Sequence, residues 1–250
     1  MPAWEAQVAI RSPAQRFEGV TRPWLPYAAP GSEGPCEPFG LAGPESVGAG
    51  GSPCARRRVS RAEALYRAGD PFHCLYAVRS GFFKSSATLS DGRDQVVGFH
   101  MAGEILGMSG IDTQRHASDA VALEDSEVWV IPSARLEEPP MHREVYRAMS
   151  RELVRGQGMM LLLGTTCSAG RVAVFLLTLS ERLVARGLAA RDFHLRMTRQ
   201  EIGSYLGMSL ETVSRIFSRF DGDRLIRVDR RHVRILDVEG LEAVAARVDP

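Results

Sequence analysis

The sequence predicts an α+β protein with a strand-rich first half and a helical second half. Three observations indicate this division. Short β-prone segments separated by glycine turns fill residues 56–140, an apolar stripe at helical spacing follows over residues 141–168, and capped amphipathic helices occupy residues 169–250. Residues 1–55 are rich in proline, glycine, serine and alanine, so we expect an irregular N-terminal tail there.

The strand-rich segment, residues 56–140, predicts an antiparallel β-roll. Its strands are short, they recur at regular spacing, and each ends near a glycine or aspartate that favours a turn. The turn Ser90-Asp91-Gly92 joins two of them into a hairpin. The expected strands cover residues 65–66, 75–78, 82–88, 94–100, 117–123 and 126–131.

Residues 141–168 predict one long helix. Its apolar residues recur mostly in alternating steps of four and three up to Cys167, which is typical of a coiled-coil seam. We expect two copies of the chain to pair along this seam and form a homodimer, although a core helix within one chain would show the same stripe. The expected seam residues are Val145, Met149, Leu153, Gly156, Met160 and Leu163.

Residues 197–220 predict two short helices joined by a tight turn, and another amphipathic helix over residues 169–190 precedes them. Thr198 followed by Glu201 is a capping box, which marks a helix start. Gly207 stands where a left-handed residue ends a helix, and Ser209 caps the next one. The expected buried stripe of that second helix consists of Leu210, Val213, Ile216, Phe217 and Phe220.

Two alternating segments, residues 225–228 and 232–235, flank Asp229-Arg230-Arg231 and predict a β-hairpin. Helix, turn, helix and hairpin together make a winged helix, whose second helix enters the DNA major groove. A solvated charged face on an ordinary helical hairpin is the alternative interpretation. The candidate DNA-binding residues are Thr198, Arg199, Ser209, Glu211, Thr212, Ser214, Arg215 and Arg219.

The chemistry of these side chains suits base recognition. Arginine pairs with guanine through two hydrogen bonds, glutamate accepts from the cytosine amino group, and serine or threonine can contact a base or a phosphate. The net charge of the 250 residues is only +1, so the charge of the whole chain does not indicate a nucleic-acid partner. The arginines that cluster in the C-terminal part are the local basic signal of such a partner.

The sequence contains neither an apolar run long enough to span a membrane nor a charged segment followed by an apolar secretion signal. We therefore expect a cytoplasmic protein without a membrane partner, whose thiols stay reduced. The four cysteines, Cys36, Cys54, Cys74 and Cys167, show no C-x-x-C spacing.

A roll, a long helix and a winged helix in this order resemble the cyclic-AMP-receptor and fumarate-nitrate-reduction (CRP/FNR) regulators, whose roll is a cyclic-nucleotide-binding-like domain. The resemblance is closest to the FNR branch. It is carried by LYRAGDPFHCLYAVRSGFFK at residues 65–84, GFHMAGEILG at 98–107, MMLLL at 159–163 and MTRQEIGSYLGMSLETVSRIFSRF at 197–220.

The resemblance implies a homodimeric transcription regulator, an activator in the first instance. Glu211, Ser214 and Arg215 match the family's base-contacting E-x-x-S-R pattern, and the implied half-site is TTGAT, repeated as an inverted palindrome. The loop that corresponds to Asp91, Gly92 and Arg93 contacts RNA polymerase in the family. The implied partners are thus double-stranded DNA, RNA polymerase and a second copy of the chain.

The sequence departs from the family at its cofactor positions. FNR-type oxygen sensors hold a [4Fe–4S] cluster with four cysteines, but here only Cys36 matches one of them, and Trp129 stands at the roll position. Because a cluster needs thiolates near each iron, we expect none. The expected seam also lacks an acidic residue, so we expect the dimer to form without a cofactor.

The cyclic-nucleotide pattern is likewise incomplete. Met108-Ser109-Gly110 lacks the acid that binds the ribose, and Ala117-Ser118 stands in place of the Arg-Ser pair that binds the phosphate. Four alternatives stay open: a non-standard Fe–S site, haem bound through His73, His100 or His116, a cyclic nucleotide in the roll, and a different class of protein, a cupin-like enzyme or a ligand-binding module. Without clustered metal ligands we predict no enzyme.

Overall fold

The computed structural model describes residues 54–189 and 191–247. It contains the expected roll, the long helix and the C-terminal helical unit in that order. The expectations for the tail, including a role for Cys36, concern residues outside these ranges.

The roll consists of two four-stranded antiparallel sheets that share one apolar core. The strand order is β1-β8-β3-β6 in one sheet and β2-β7-β4-β5 in the other. A short helix, α1 (Gly110–Thr113), and a 3₁₀ turn, Ser133–Glu137, complete this part. The strands are β1 (Ala55–Val59), β2 (Ala64–Tyr66), β3 (Cys74–Ser80), β4 (Phe82–Thr88), β5 (Asp94–Met101), β6 (Ile105–Leu106), β7 (Asp119–Ala122) and β8 (Ser126–Pro132).

The expected hairpin is present, since β4 pairs with β5 from Phe82↔Met101 to Thr88↔Asp94. Gly92 lies in its turn at φ +81°, a conformation that glycine adopts without strain. Strands β1 and β6 were not predicted. Strand β1 carries three consecutive arginines and, among the described strands, pairs only with β8. Such a charged edge strand lacks the alternating apolar pattern of a typical strand.

Two long helices follow the roll: α2 (Pro139–Thr165) and α3 (Ser168–Val184). Helix α2 starts earlier than expected because proline suits the first helical position. It ends at Thr165, and Cys167, expected within it, caps α3 by accepting from the Gly170 backbone N–H at 3.4 Å. Helix α3 ends at Val184 rather than at residue 190, and Gly187 lies in the following turn.

The C-terminal unit contains the predicted helix-turn-helix and wing. Strand β9, which pairs with β11, and helix α6 were not foreseen. The elements are β9 (Asp192–His194), α4 (Arg199–Leu206), α5 (Leu210–Gly222), β10 (Ile226–Asp229), β11 (His232–Ile235) and α6 (Val238–Ala245).

Helix α4 packs against the β4–β5 hairpin, so the C-terminal unit and the roll share a contact surface. The Lys84 Nζ atom lies 2.8 Å from Glu201 Oε1, and the Val96 backbone N–H donates to Ser204 Oγ at 2.8 Å. The rings of Phe99 and Tyr205 meet edge-on with their centroids 5.1 Å apart. Among the described residues, no helix combines the length and apolarity that crossing a bilayer requires.

Candidate nucleic-acid interface

The turn between α4 and α5 is fixed by local hydrogen bonds. Thr198 Oγ1 accepts from the Glu201 backbone N–H at 3.1 Å, and the Glu201 carboxylate accepts from the Thr198 backbone N–H at 2.7 Å, which completes the predicted capping box. Gly207 ends α4 at φ +65°. A Cβ atom at Gly203 would lie 2.6 Å from the Met208 carbonyl oxygen, so only glycine allows this close helix-to-turn contact.

Helix α5 buries one face and exposes the other. Ser209 Oγ accepts from the Thr212 backbone N–H at 3.2 Å, as its predicted capping role requires. Val213, Phe217 and Phe220 are almost completely buried. Leu210, expected in this stripe, is instead 43% exposed, because it occupies the first turn, before the helix reaches the core.

The three side chains of the E-x-x-S-R pattern, Glu211, Ser214 and Arg215, are all exposed on the first two turns of α5. Arg215 Nη2 donates to Thr212 Oγ1 at 3.5 Å, which orients the guanidinium along the helix. Hydrogen bonds from its own backbone N–H and the Ser209 hydroxyl, with the nearby charge of Arg215, lower the pKa of Glu211. Glu211 is therefore a hydrogen-bond acceptor at neutral pH.

Arg199 does not join this exposed row. Its guanidinium carbon lies 3.3 Å from the centroid of the Phe217 ring, and burial lowers its pKa to about 10. It therefore connects α4 to α5, and its expected DNA contact stays a prediction. The Thr198 hydroxyl is engaged in the capping box, whereas Arg219 is exposed, with Nε 3.5 Å from Asp223 Oδ2.

The wing adds exposed arginines that the candidate set omitted. Arg230 and Arg231 lie at its tip, and Arg230 has φ +54°. Exposed arginines are among the side chains that contact DNA phosphates and so position a protein on the duplex. Their occurrence on a predicted hairpin tip was the available sequence signal.

Helix α2 presents an apolar row to solvent. Leu153 and Met160 are 65% and 68% exposed, Met149 is 41% exposed, and Gly156 is exposed between them. Val145, expected in the seam, is 5% exposed because it packs with Met141 and Ala148 against the roll.

The last expected seam residue, Leu163, is half-buried near Gly207 of its own chain. The exposed part of the expected seam therefore consists of Met149, Leu153, Gly156 and Met160.

The turn between β4 and β5 is exposed and closed by its own ion pair. Arg93 Nε donates to Asp91 Oδ2 at 2.7 Å, and the Arg93 backbone N–H donates to Asp91 Oδ1 at 3.1 Å. These bonds lower the pKa of the Asp91 carboxyl. With Gly92 between them, the two charged side chains are held at the surface of the roll.

Known proteins match both halves of this arrangement. The model of the cyclic nucleotide-binding domain matches residues 56–138, and that of the Crp-like helix-turn-helix domain matches residues 170–244. The transcriptional regulatory protein btr of Bordetella pertussis is 45% identical over 192 residues, which cover 75% of this chain and 79% of that protein. The chain belongs to the CRP/FNR family of transcription regulators.

Further relatives agree with this assignment. The transcriptional activator protein Anr of Pseudomonas aeruginosa is 44% identical to this CRP/FNR regulator over 194 residues, 76% of this chain and 80% of that protein. The structure of FixK2 from Bradyrhizobium japonicum superimposes with a TM-score of 0.70 at 29% identity, covering 78% of this chain and 99% of that one. The predicted fold and its resemblance to the family are thereby confirmed.

The described residues of this CRP/FNR regulator include three cysteines, Cys54, Cys74 and Cys167, one fewer than a four-thiolate cluster needs. Trp129, at the roll position, is a buried ring on β8 with the Arg56 guanidinium 5.6 Å from its centroid. Cys54 and Cys74 lie at β1 and β3 on opposite sides of β8, and Cys167 caps α3. Among the described residues, no group of three or more histidine, cysteine or acidic side chains could hold a metal ion.

The cyclic-nucleotide site of the family is also altered. At the position of the phosphate-binding arginine, Ala117 offers only its backbone N–H, which donates to Ser109 Oγ at 3.3 Å. Arg115 is exposed and donates to the Gly69 carbonyl at 2.7 Å. The neighbouring His116 ring is stacked on the Tyr66 ring, with the two centroids 3.8 Å apart. These residues do not fit a nucleotide phosphate.

The three histidines considered for haem lie in different surroundings. His73 is exposed, whereas His116 is part of the aromatic stack. His100 is buried in β5, and its Nε2 lies 2.9 Å from Ser85 Oγ. Burial lowers the pKa of both His100 and His116, so each is neutral at pH 7.

Proposed function

We propose that this chain is a homodimeric transcription activator that binds a TTGAT-type inverted repeat through α5. The observation that carries the proposal is the exposed row of Glu211, Ser214 and Arg215 at the start of a helix whose opposite face is buried. An acceptor, a hydroxyl and a guanidinium at these positions can contact cytosine, a base or phosphate, and guanine. Ser209 and Thr212 flank the row.

The exposed row of α2 supports the homodimer. Met149, Leu153, Gly156 and Met160 give two copies of α2 an apolar seam without a charged residue. A two-fold dimer presents two α5 helices to successive major grooves, which matches an inverted repeat. RNA polymerase would contact the exposed turn of Asp91, Gly92 and Arg93, which belongs to the hairpin on which α4 packs.

We also propose that DNA binding needs neither an Fe–S cluster nor haem nor a cyclic nucleotide. The proposal is supported by Trp129 at the position of a cluster cysteine and by Ala117 at the position of the phosphate-binding arginine, since neither side chain can make the bond that the cofactor needs. Regulation would then depend on protein abundance, on another ligand in the roll, or on oxidation of Cys36 or Cys54. The protein would act in the cytoplasm and would not be an enzyme.

A gel-shift assay tests the DNA proposal. The full chain, purified in air, is mixed with a duplex that carries the TTGAT palindrome and with a duplex of equal length whose half-sites are scrambled. We expect a dimer complex on the palindrome at concentrations that leave the scrambled duplex free. Equal binding to both duplexes would show that α5 does not distinguish these bases.

Visible spectroscopy and metal analysis test the cofactor proposal. We expect a colourless protein that binds its palindrome with no cofactor added. Stoichiometric iron and sulfide after anaerobic purification, together with loss of DNA binding in air, would overturn it and restore an oxygen-sensing cluster.

A further inference from the structure

A cleft of about 670 Å³ lies between the roll and the C-terminal unit. It is separate from the exposed rows of α5 and α2 and from the altered nucleotide position of the roll, and the proposed function does not use it. Proteins bind small molecules preferentially in cavities of about 300–1,000 Å³ at the junction of two units. The residues that line the cleft include Arg79, Met101, Leu183, Leu188, Phe193 and Arg196.

One part of the cleft is apolar. Met101, at the end of β5, and Phe193, in β9, line it and are almost completely buried. Leu183 is half-buried, and Leu188 is 57% exposed. The turn after α3 fixes Leu188 in place, because its backbone N–H donates to the Leu183 carbonyl at 3.0 Å. An apolar molecule beside these two leucines would remove apolar surface from water on both sides of the contact.

The rim of the cleft carries two exposed arginines from different units. Arg79 ends β3 of the roll, and Arg196 lies between β9 and α4. Their side chains are 45% and 48% exposed, whereas their carboxylate partners, Glu127 and Glu124, are only 15% and 31% exposed. The guanidinium groups are therefore the more accessible halves of both ion pairs.

Both arginines have hydrogen-bond donors to spare. Among the described residues, Arg79 uses Nη1 for Glu127, and Arg196 uses Nε, which lies 3.0 Å from Glu124 Oε2. A guanidinium has five N–H donors, so most of them face solvent at the cleft. Paired N–H donors of this kind match the oxygens of a carboxylate or a phosphate.

The acid at the C-terminal wall of the cleft is already neutralised. Asp192 Oδ2 accepts from Arg234 Nε at 2.7 Å, and its other oxygen is bonded to the His232 ring. These bonds lower the pKa of Asp192, so it is ionised and paired at neutral pH. Asp192 therefore does not attract a cation into the cleft or compete for Arg79 and Arg196.

We propose that this cleft binds an amphipathic anion, with its oxyanion head at Arg79 and Arg196 and its apolar body at Leu183 and Leu188. The charged and the apolar parts of the cleft each match one part of such a molecule. A fatty acid and an alkyl phosphate are the two sources of this chemistry, because a guanidinium binds either head through paired hydrogen bonds.

The position of the cleft gives its occupant an influence on DNA binding. Arg79 belongs to the roll, whereas Arg196 belongs to the segment that leads into the first helix of the helix-turn-helix. A molecule held by both arginines stabilises one arrangement of α4 relative to the roll. Coupling of this kind is reciprocal, so DNA and the anion change each other's affinity by the same factor.

Titration calorimetry of the full chain, without DNA, tests the site. Octanoate and octyl phosphate are compared with octan-1-ol, which lacks the charge, and with acetate, which lacks the apolar body, at constant ionic strength. Arg196→Gln and Leu188→Ser each remove one of the two contacts. Arg67→Gln and Val184→Ser are the matched controls, because these side chains are 70% and 51% exposed and are not among the described residues that line the cleft.

We expect saturable binding of octanoate, octyl phosphate or both, and at least about tenfold weaker binding of octan-1-ol and acetate. The bound probe should lose at least about tenfold in affinity in Arg196→Gln and in Leu188→Ser and keep its affinity in both controls. The tighter of the two probes identifies the head group.

Three results would overturn the proposal. The first is no saturable binding by the wild type, and the second is equal binding by all five proteins. The third is octan-1-ol binding as tightly as octanoate and octyl phosphate, which would show that the arginines do not hold the head. Thermal unfolding of each variant verifies that it is folded, as the exposure of the four substituted side chains leads us to expect.

The effect on DNA is measured separately by fluorescence anisotropy with the palindrome. At a probe concentration that saturates only the wild type, DNA affinity should change in the wild type and stay constant in Leu188→Ser, whose charge is unaltered. An equal response of both proteins would refute the coupling. This measurement rests on the proposed DNA binding, whereas the calorimetric one does not, so failures of the two proposals are distinguishable.

Discussion

Helices α5 and α2 are both amphipathic, yet their apolar residues lie in opposite environments. In α5, Val213 and Phe220 are buried by the chain's own core, and the polar side chains face solvent. In α2, Ala148 and its neighbours pack on the roll, while Leu153 and Met160 remain exposed. The apolar face of α5 is buried within one chain, and its polar face is available to a polar partner. The second has an apolar face that requires another apolar face.

The inner side of α2 gives the largest expected effect. Glu104→Gln should destabilise the protein by about 3–5 kcal/mol, because it leaves buried guanidinium groups without their shared carboxylate. These groups belong to Arg155, Arg182 and Arg186, which lie 3.5, 2.9 and 2.8 Å from that carboxylate. Glu152→Gln is the control: its carboxylate contacts the same Arg155 but is 41% exposed, so we expect less than about 1 kcal/mol. Urea unfolding at pH 7 measures both, and equal losses would show that these ion pairs do not hold α2 to the roll.

The loss of stability caused by Glu104→Gln should depend on pH. Burial alone would raise the pKa of Glu104, but the charges of Arg182, Arg155 and Arg186 outweigh it and hold that pKa well below the ordinary 4.5. The lowered pKa adds stability above about pH 4.5, and this part is lost as the pH falls towards the folded-state value. The stability gap between the wild type and Glu104→Gln should therefore narrow below pH 4.5. A constant gap would contradict the assigned cause.

The outer side of α2 is tested by a charged seam. The double substitution Leu153→Glu and Met160→Glu should yield a folded monomer, because both side chains are exposed in the single chain. DNA affinity should fall by at least about 100-fold, since a monomer loses the gain from binding two half-sites. Arg147→Glu, exposed on α2 away from the seam, should remain dimeric. Sedimentation and anisotropy measure both properties, and a dimeric double variant would exclude this seam.

The polar face of α5 gives the next effect. Arg215→Ala should cost about 1–3 kcal/mol per half-site and relax the preference at the contacted base pair. Arg219→Ala, an exposed arginine one turn further along, serves as control and should weaken specific and random DNA alike. If Arg215→Ala also lowers the affinities for specific and random DNA equally, Arg215 contacts only phosphate.

The smallest expected effect on DNA binding belongs to the turn of Asp91 and Arg93. Substituting alanine for either should lower transcription activation in vitro and leave DNA affinity within about twofold, less than about 0.4 kcal/mol. The reason is that both side chains are exposed and, within the described part of the chain, are bonded to each other. Unchanged transcription would mean that the segment is only a hairpin turn.

Features fixed by neighbouring residues could be predicted from the sequence. The caps at Thr198 and Ser209 and the left-handed Gly207 depend on hydrogen bonds that span three or four residues, so their pattern is visible in the chain. The exposed row of α5 follows from those caps and from the helical period. The same holds for the hairpin of β4 and β5.

Features that depend on distant residues could not be predicted from the sequence. The arginines that surround Glu104 lie 51, 78 and 82 residues away, and no local pattern announces them. Arg199 lies at the sequence position of a DNA contact, but in the folded unit its guanidinium group packs on the Phe217 ring and is partly buried there. Val145 fits the seam period, yet the roll covers it. Strand β9 has three residues and exists only because β11 lies beside it.

The contact between Lys84 and Glu201 has a practical consequence. Lys84 is the sole lysine of the chain, so apart from the N-terminal amine it is the only primary amine. Its ammonium group is held by the carboxylate that also completes the capping box of α4. The rate at which an amine-directed reagent modifies Lys84 therefore reports how often α4 separates from the roll. A spectroscopic probe attached there would follow that motion in solution.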